Sequence, residues 1–340
     1  MRAAARVAIG EALLAGTTTL VDHHESPSII AGSLDVLAEA ALSLGIRAVL
    51  AYGASERNGG ADEAAAGLAE CERFARVVGL RHPTLRAMVG LHAGFTVSDP
   101  TIARAVALGR ELGVPLHVHV AEDEADVADA RRRGYAGALA RLVAHGAVGP
   151  GAVLAHGIHL GRDEVAWVAG SGAFFAQNPR SNRTNGVGYP SVLAGARVAL
   201  GTDGYPSRME DEVRVAQDDG ARHGEPMTLA DERLRAGWEL AAWHFADDPP
   251  GSSDVCAMGP DGAVHVVVAG RVVVRDGRLV GADIAELRRD ASEAAARLAT
   301  RMQATRENPS GEPPAPAGER AAPALAGVLR RPADGIHNPG

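Results

Sequence analysis

The sequence contains no lysine, and all 34 of its basic residues are arginine. This absence excludes chemistry that needs a lysine amine: Schiff bases, pyridoxal-phosphate attachment, lysine general bases and phosphate loops closed by a lysine. It also excludes a carbamylated lysine that would bridge two metal ions. An enzyme made from this chain must take its reactive groups and metal ligands from other residue types.

Other scarce features narrow the function further. The two cysteines, Cys71 and Cys256, lie far apart in the sequence, which argues against a disulfide framework and a cysteine-based zinc site. A net charge of −8 argues against a general nucleic-acid or anionic-membrane binder. No apolar run approaches the roughly 18 residues of a membrane span. We therefore expect a cytoplasmic protein that acts on a small molecule, although aromatic residues at 4% offer no obvious stacking surface for a purine.

What the sequence does contain is an alternation of strand-like and helix-like segments. With 340 residues, 46% of them hydrophobic, the chain can bury a large core. Strands alternating with helices imply a parallel sheet joined by crossover helices. A helix is predicted to begin at Ser26-Pro27 and another at Asp99-Pro100. Apolar or β-branched runs predict seven strands, near residues 17–22, 46–52, 85–91, 115–120, 152–155, 173–176 and 197–200.

Seven strands are one fewer than an eight-stranded barrel requires. The first predicted helix, over residues 2–15, has no strand before it, so the missing strand would be the first. We therefore expect a barrel that is open between the strands at 17–22 and 197–200, with unpaired edges or a distorted direct pairing there.

After Gly204 the pattern changes. Residues 207–246 are predicted to be helical with a break at 223–226, and residues 264–268 and 271–274 are predicted to form a hairpin. A long amphipathic helix follows over residues 283–305. The final stretch, residues 306–340, holds seven of the 19 prolines and is predicted to be disordered.

Polar side chains collect where the predicted strands end, and in parallel α/β folds the active site lies at the carboxyl ends of the strands. Six of the 13 histidines lie at or within three residues of such an end. The histidines are His23, His24, His92, His117, His119 and His156, and the other polar residues at strand ends are Glu122, Asn178, Ser181, Asn182 and Asp203.

These residue types suit hydrolysis with a metal. His119 and Asp203 are ligands suited to a divalent ion such as zinc. Glu122 lies three residues after His119 and could take a proton from water and pass it to a leaving amine. His156 could complete the metal shell or polarise a carbonyl. The loop with Asn178, Ser181 and Asn182 is predicted to hydrogen-bond the substrate, and His92 is a further candidate there.

Structural roles are the alternative for several of these histidines. His117 faces the same side of its strand as His119 and can simply fill the barrel interior or support the site. His23 and His24 are adjacent, so their side chains face opposite ways and the sequence does not decide which of them serves the site. The same two interpretations apply to His92.

The motifs, taken in order, resemble the amidohydrolase superfamily, in the branch of cytosine, guanine and S-adenosylhomocysteine deaminases and triazine hydrolases. Within this branch, the motifs resemble those of the SsnA-type aminohydrolases. The resemblance covers about residues 10–300, and GRVVVRDG at 270–277 is similar to the family's C-terminal β-sandwich. The segments that carry it are GTTTLVDHHESP at 16–27, GSLDVLAEA at 32–40, GLHAGFTVSD at 90–99, HVHVAEDEADV at 117–127, LAHGIHL at 154–160, NPRSN at 178–182 and LGTDGYPS at 200–207.

The resemblance implies a distorted (β/α)8 TIM barrel with one catalytic divalent metal, zinc or iron. It implies that His119 and Asp203 are metal ligands, that Glu122 is the proton shuttle and that His156 lies beside the metal. It also makes a homodimer plausible. We therefore divide the chain into an incomplete metallo-hydrolase barrel (1–250), a remnant of a β-sandwich (251–282), a helix (283–305) and the tail (306–340).

The sequence also departs from the family pattern. The His-x-His pair that ends the family's first strand has no counterpart before residue 16, and Gln177 replaces the histidine often found before Asn-Pro. Two hypotheses stay open: a metal-dependent hydrolase of non-peptide carbon–nitrogen bonds, and a catalytically incompetent or truncated relative that binds a small molecule or partner. We expect translation to start upstream of Met1. An in-frame upstream strand ending in His-x-His would favour the enzyme.

Overall fold

The computed structural model describes residues 1–193 and 196–307. The first sheet has strands β1 (Thr19–His24), β2 (Arg47–Ala54), β3 (Leu85–Ala87), β4 (Val89–Ala93), β5 (Leu116–Val120), β6 (Val153–His156), β7 (Phe174–Gln177) and β8 (Val198–Leu200). All pairings in it are parallel, in the order β1-β2-β4-β5-β6-β7-β8, and β3 extends β4 alongside β2. The seven predicted strands are confirmed, because β3 and β4 are the two parts of the strand predicted at 85–91.

The sheet curls into a half-open barrel. Within the described residues β1 pairs with β2 alone and β8 with β7 alone, so the two strands do not close the barrel against each other. The predicted α/β, TIM-barrel-like fold with an opening between these strands is confirmed.

Helices precede, connect and follow the strands. They are α1 (Arg2–Leu14), α2 (Ser33–Leu44), α3 (Ala61–Val78), α4 (Asp99–Leu112), α5 (Glu124–Arg132), α6 (Ala138–Ala144), α7 (Arg162–Ser171), α8 (Pro179–Asn185), α9 (Met209–Arg222), α10 (Thr228–His244), α11 (Pro250–Ser253) and α12 (Ile284–Glu307). No helix in the described ranges is long and apolar enough to cross a membrane.

The helix predicted to begin at Ser26-Pro27 begins instead at Ser33. Ser26 donates its hydroxyl to the Ile29 carbonyl at 2.7 Å, which favours a local turn over a helix. Gly32 then adopts a left-handed backbone conformation with φ of 79° directly before α2. The prediction was wrong in its boundary because a serine that caps a helix also stabilises a turn.

The interior of the barrel is apolar at the end opposite the histidines. Val49, Met88, Val153 and Phe174 pack there with Phe245, which follows α10. Phe245 lies between two buried guanidinium groups, of Arg47 and Arg86, at 5.1 and 4.5 Å from its ring centroid. The chain after α10 therefore closes the amino-terminal end of the barrel.

A second, antiparallel sheet follows α11, in the order β12-β11-β10-β9. Its strands are β9 (Val255–Gly259), β10 (Gly262–Val268), β11 (Arg271–Arg275) and β12 (Arg278–Leu279). The predicted hairpin is β10 and β11, whereas β9 forms in a stretch rich in polar residues where we expected no strand. Val266, Val274 and Leu287 of α12 pack into the same core as the helices of the barrel. The predicted tail at 306–340 lies outside the described residues from 308 onward.

Candidate active site

Five histidines from four strands meet at the carboxyl end of the barrel. The His119 ring on β5 lies at the centre, with its centroid 4.7 Å from that of His23 on β1, 5.3 Å from that of His92 on β4 and 5.3 Å from that of His156 on β6. His117, one inward-facing position before His119, has its ring centroid 4.8 Å from that of His23. Alternation along β1 and β5 explains why these side chains face the interior.

His23 occupies space that a glycine leaves free. A Cβ at Gly53 on β2 would lie 2.3 Å from His23 Cε1, so only glycine accommodates the ring there. His23 Nε2 donates to the Leu91 carbonyl at 3.1 Å, which leaves Nδ1 with the lone pair of the neutral ring. His24 faces the other way: its Nε2 lies 2.9 Å from Ser26 Oγ and its ring lies against Tyr52. The structure thus brings His23 into the cluster and leaves His24 out.

Four of the five clustered imidazoles are held neutral by burial. The pKa of His23 and that of His92 are lowered to about 4, mainly by burial, and the positive charge of Arg57 contributes to the shift of His92. Burial also lowers the pKa of His117 and His119 well below the usual value, with the neighbouring His23 adding to the effect. Neutral imidazole is the form that ligates a metal, so desolvation prepares these rings for that role.

His156 is oriented by helix α8. Its Nδ1 donates to Asn182 Oδ1 at 2.9 Å, and its Nε2 lies 3.5 Å from Glu122 Oε2. In the neutral form of the ring, the Nδ1–H bond places the proton away from Glu122 and leaves the Nε2 lone pair facing the site. His156 is 1% exposed, whereas the Glu122 side chain is 31% exposed at the rim.

Asp203 is held from the same helix. Ser181 Oγ donates to Asp203 Oδ2 at 2.6 Å, and the Gly204 amide donates to Oδ1 at 2.8 Å. Asn178 stands beside His156, with Nδ2 3.4 Å from both ring nitrogens, in room that Gly201 leaves for it. Asn178, Ser181 and Asn182 were predicted to contact substrate; here the last two have protein partners and position Asp203 and His156.

Strained backbone marks the same place. Of the five described non-glycine residues with positive φ, three lie near strand ends of the barrel: Ala121 (48°) directly follows β5, His156 (72°) ends β6, and Asp203 (48°) lies three residues after β8. Such conformations are uncommon for these residue types and cluster where structure serves function.

Two features escaped the sequence interpretation. Glu25, the residue after β1, binds the Arg57 guanidinium from the loop after β2, beside His92. Gln177 is fully buried, and both of its side-chain polar atoms lack a hydrogen-bond partner in the described part of the chain. The departure of Gln177 from the family pattern was the only signal in the sequence; the contact between Glu25 and Arg57 joins two loops that no local pattern connects.

The donor set fits a divalent metal in its chemistry. His119, His156 and Asp203, with His23 beside them, offer imidazole nitrogens and a carboxylate, the ligands that zinc takes. Among residues 1–193 and 196–307, however, no three or more His, Cys, Asp or Glu side chains stand close enough to hold a metal ion together. The donor types are therefore right, and their spacing is wider than a closed ligand shell.

Comparison with known proteins gives the family. A model of the amidohydrolase family matches residues 1–235. The chain belongs to the amidohydrolase family. The sequence resemblance is therefore confirmed.

The relatives include several deaminases. The chain is 28% identical to a 5′-deoxyadenosine deaminase of Methanopyrus kandleri over 86% of this chain and 75% of that protein. It is 31% identical to an 8-oxoguanine deaminase of Pseudomonas aeruginosa over 84% and 74% of the two chains. A 5-methylthioadenosine/S-adenosylhomocysteine deaminase of Desulforudis audaxviator is 31% identical over 61% of this chain, which spans 48% of that relative.

Solved structures support the fold. An adenosine deaminase from Xanthomonas campestris with bound zinc superimposes with a TM-score of 0.76 at 23% identity, covering 88% of this chain and 75% of that one. An atrazine chlorohydrolase from Arthrobacter aurescens TC1, complexed with zinc, gives a TM-score of 0.70 at 20% identity over 86% and 76% of the chains. At 23% and 20% identity, these similarities show that the fold is shared and nothing further.

Proposed function

We propose that this chain is a metal-dependent hydrolase of carbon–nitrogen bonds other than peptide bonds, an aminohydrolase or deaminase acting on a small molecule. The observation that carries the proposal is the position of Glu122 Oε2, 3.5 Å from His156 Nε2 and beside the histidine cluster. Family membership and the deaminase relatives support it. The described residues offer no observation in favour of the non-catalytic alternative. A cytoplasmic location and a homodimer stay predictions.

His119, His156 and Asp203 would hold the metal, which we propose to be zinc, and His23 is the neighbouring ring that could join them. When bound, the ion lowers the pKa of water toward 7 and polarises the bond to be cleaved. Asn182 and Ser181 keep His156 and Asp203 oriented for this role through the hydrogen bonds described above.

Glu122 is the proposed proton carrier. Its Oε2 faces His156 at the rim, where it can accept a proton from the attacking water and give it to the leaving nitrogen. The electron pair of the breaking carbon–nitrogen bond goes to that nitrogen, and the proton that Glu122 returns makes ammonia or an amine a neutral leaving group.

The test is Glu122→Gln, compared with Glu124→Gln at an exposed position of α5. Ammonia release is measured with zinc present for 5′-deoxyadenosine, 5-methylthioadenosine, S-adenosylhomocysteine, adenosine and 8-oxoguanine. We expect turnover of at least one of these, a loss of roughly 10²- to 10⁴-fold in Glu122→Gln with the metal retained, and little change in Glu124→Gln. Full activity of Glu122→Gln would refute the assigned role.

A further inference from the structure

A buried carboxylate on helix α5 joins the loops that follow two strands of the barrel. Asp126 Oδ2 accepts the Ala121 amide at 2.8 Å, and its Oδ1 accepts the Phe95 amide at 3.0 Å. Ala121 directly follows β5, and Phe95 lies two residues after the end of β4. With 3% exposure, Asp126 makes both contacts inside the protein. This one side chain therefore ties together two loops at the carboxyl end of the barrel.

The contact with Ala121 is not ordinary helix capping. Asp126 is the third residue of α5, where an acidic side chain in a capping box accepts the amide of the N-cap residue. The N-cap is Asp123, and its own side chain accepts the Ala125 amide at 2.8 Å. Asp126 reaches two residues beyond this N-cap, so its Oδ2 serves the loop before the helix.

The backbone at Ala121 needs this support. Its φ of 48° is left-handed, a conformation that alanine rarely adopts and that persists only where the surroundings hold it. Asp126 fixes the Ala121 amide, and the His159 amide donates to the Ala121 carbonyl at 2.9 Å. A Cβ at Gly94 would lie 2.7 Å from Asp126 Oδ1, so this glycine leaves room for the carboxylate. The strained residue is therefore held at both of its backbone polar groups.

Glu122 follows the strained residue directly. We propose that Asp126 is a positioning residue: by fixing the Ala121 amide, it holds Glu122 where its Oε2 lies 3.5 Å from His156 Nε2. This inference rests on the proposed function. If the Ala121 amide loses its partner, the backbone can relax toward a more common φ, and that rotation swings Glu122 away from His156. A displacement of about 1 Å from a productive geometry lowers the rate by roughly 100-fold.

The test compares Asp126→Asn with Asp129→Asn in zinc-dependent ammonia release. Asparagine keeps the size of the side chain but places an N–H donor against one of the two backbone amides. We expect kcat to fall by roughly 10- to 100-fold in Asp126→Asn with zinc binding retained. Asp129 lies on the same helix and accepts from Arg132 and Arg133 instead, so Asp129→Asn should keep most of the activity.

A second comparison shows whether Asp126 acts through Glu122. In the Glu122→Gln background the positioned carboxylate is gone, so Asp126→Asn should lower the residual kcat by less than about two-fold. A merely structural role would lower kcat by the same factor in both backgrounds. That result, or full kcat in the single variant Asp126→Asn, would overturn the proposal.

Gly94→Ala is the second variant, used if Asp126→Asn does not fold as judged by circular dichroism. Its added methyl group displaces the Asp126 carboxylate, so kcat should fall as well, and an unchanged kcat would overturn the proposal. Absence of ammonia release from the parent chain would count against the proposed function. Hydrogen–deuterium exchange of residues 120–123 then tests Asp126 by itself. We expect faster exchange in Asp126→Asn than in the parent chain and in Asp129→Asn, and equal exchange in all three would overturn the proposal.

Discussion

Replacement of Asn182 by alanine should remove the hydrogen bond through which helix α8 orients the His156 ring. The native Asn182 Oδ1 accepts the His156 Nδ1 proton at 2.9 Å, and His156 is 1% exposed, so no water can take over this bond without entering the core. The ring then has two options. It can keep its tautomer with a buried, unsatisfied N–H, or it can move the proton to Nε2.

Each option has a predictable magnitude. An unsatisfied buried donor costs about 1–3 kcal/mol of folding free energy. A switch of tautomer avoids part of that cost but places a proton on Nε2, where a ligand of the proposed metal needs a lone pair. Loss of a hydrogen bond that orients a ligating histidine lowers metal affinity or activity by roughly 10- to 100-fold. We therefore expect a small loss of stability together with a large loss of activity.

The assay is zinc-dependent ammonia release, with the urea unfolding midpoint measured in parallel. Asn185→Ala is the matched control, because Asn185 is an exposed asparagine of the same helix whose Nδ2 donates to Ser181 Oγ at 3.3 Å. It should keep most of the activity. Full activity and metal affinity in Asn182→Ala, or an equal loss in Asn185→Ala, would show that Asn182 does not orient His156 for activity.

Three further predictions concern α8, pH and metal content. Glu212, fully buried, accepts from Arg180 Nε at 2.6 Å, so Glu212→Ala leaves this cation only the longer contact to Asp211 Oδ2 at 3.8 Å. It should destabilise the chain by up to about 3–5 kcal/mol in urea unfolding, whereas exposed Glu210→Ala should not. Burial lowers the pKa of His23, His92 and His244 to about 4, so the unfolded chain protonates first as pH falls. The metal-free chain should lose stability from about pH 6.5 down to 4 and keep it above 6.5; a constant urea midpoint across that range would contradict this. Because the described donors form no closed set of three, mass spectrometry should find less than one equivalent of zinc after dialysis.

Strand positions and inward-facing residues were predictable because alternation in a strand is local. The pattern LHVHV places His117 and His119 on one face wherever the strand lies, and the structure agrees. The choice between His23 and His24 was not predictable, because it depends on which face of β1 meets Gly53 of the neighbouring strand. The periodicity of residues 207–246 indicated helices but could not show that Phe245 closes the barrel between two arginines.

The sequence predicted which types of polar residue lie in the site, but it did not predict which groups they contact. A loop of Asn178, Ser181 and Asn182 is equally suited to bind substrate or to hold catalytic residues. The decision depends on helix α8, which Arg180 and Arg183 fasten to α9 through Glu212 and Asp219. Such long-range ion pairs cannot be recognised in a single sequence, and the same holds for the ion pair between Glu25 and Arg57.

Ammonia release measured as a function of zinc concentration tests whether the chain is a metal-dependent hydrolase in which Glu122 carries the proton. The purified chain is treated with a chelator, dialysed and assayed with the deaminase substrates while zinc is added back. We expect no ammonia without metal and a saturable rise with zinc in the parent chain, and no such rise in Glu122→Gln although it binds the same zinc. Undiminished ammonia release in the presence of chelator, or a zinc-dependent rise of equal size in Glu122→Gln, would contradict it.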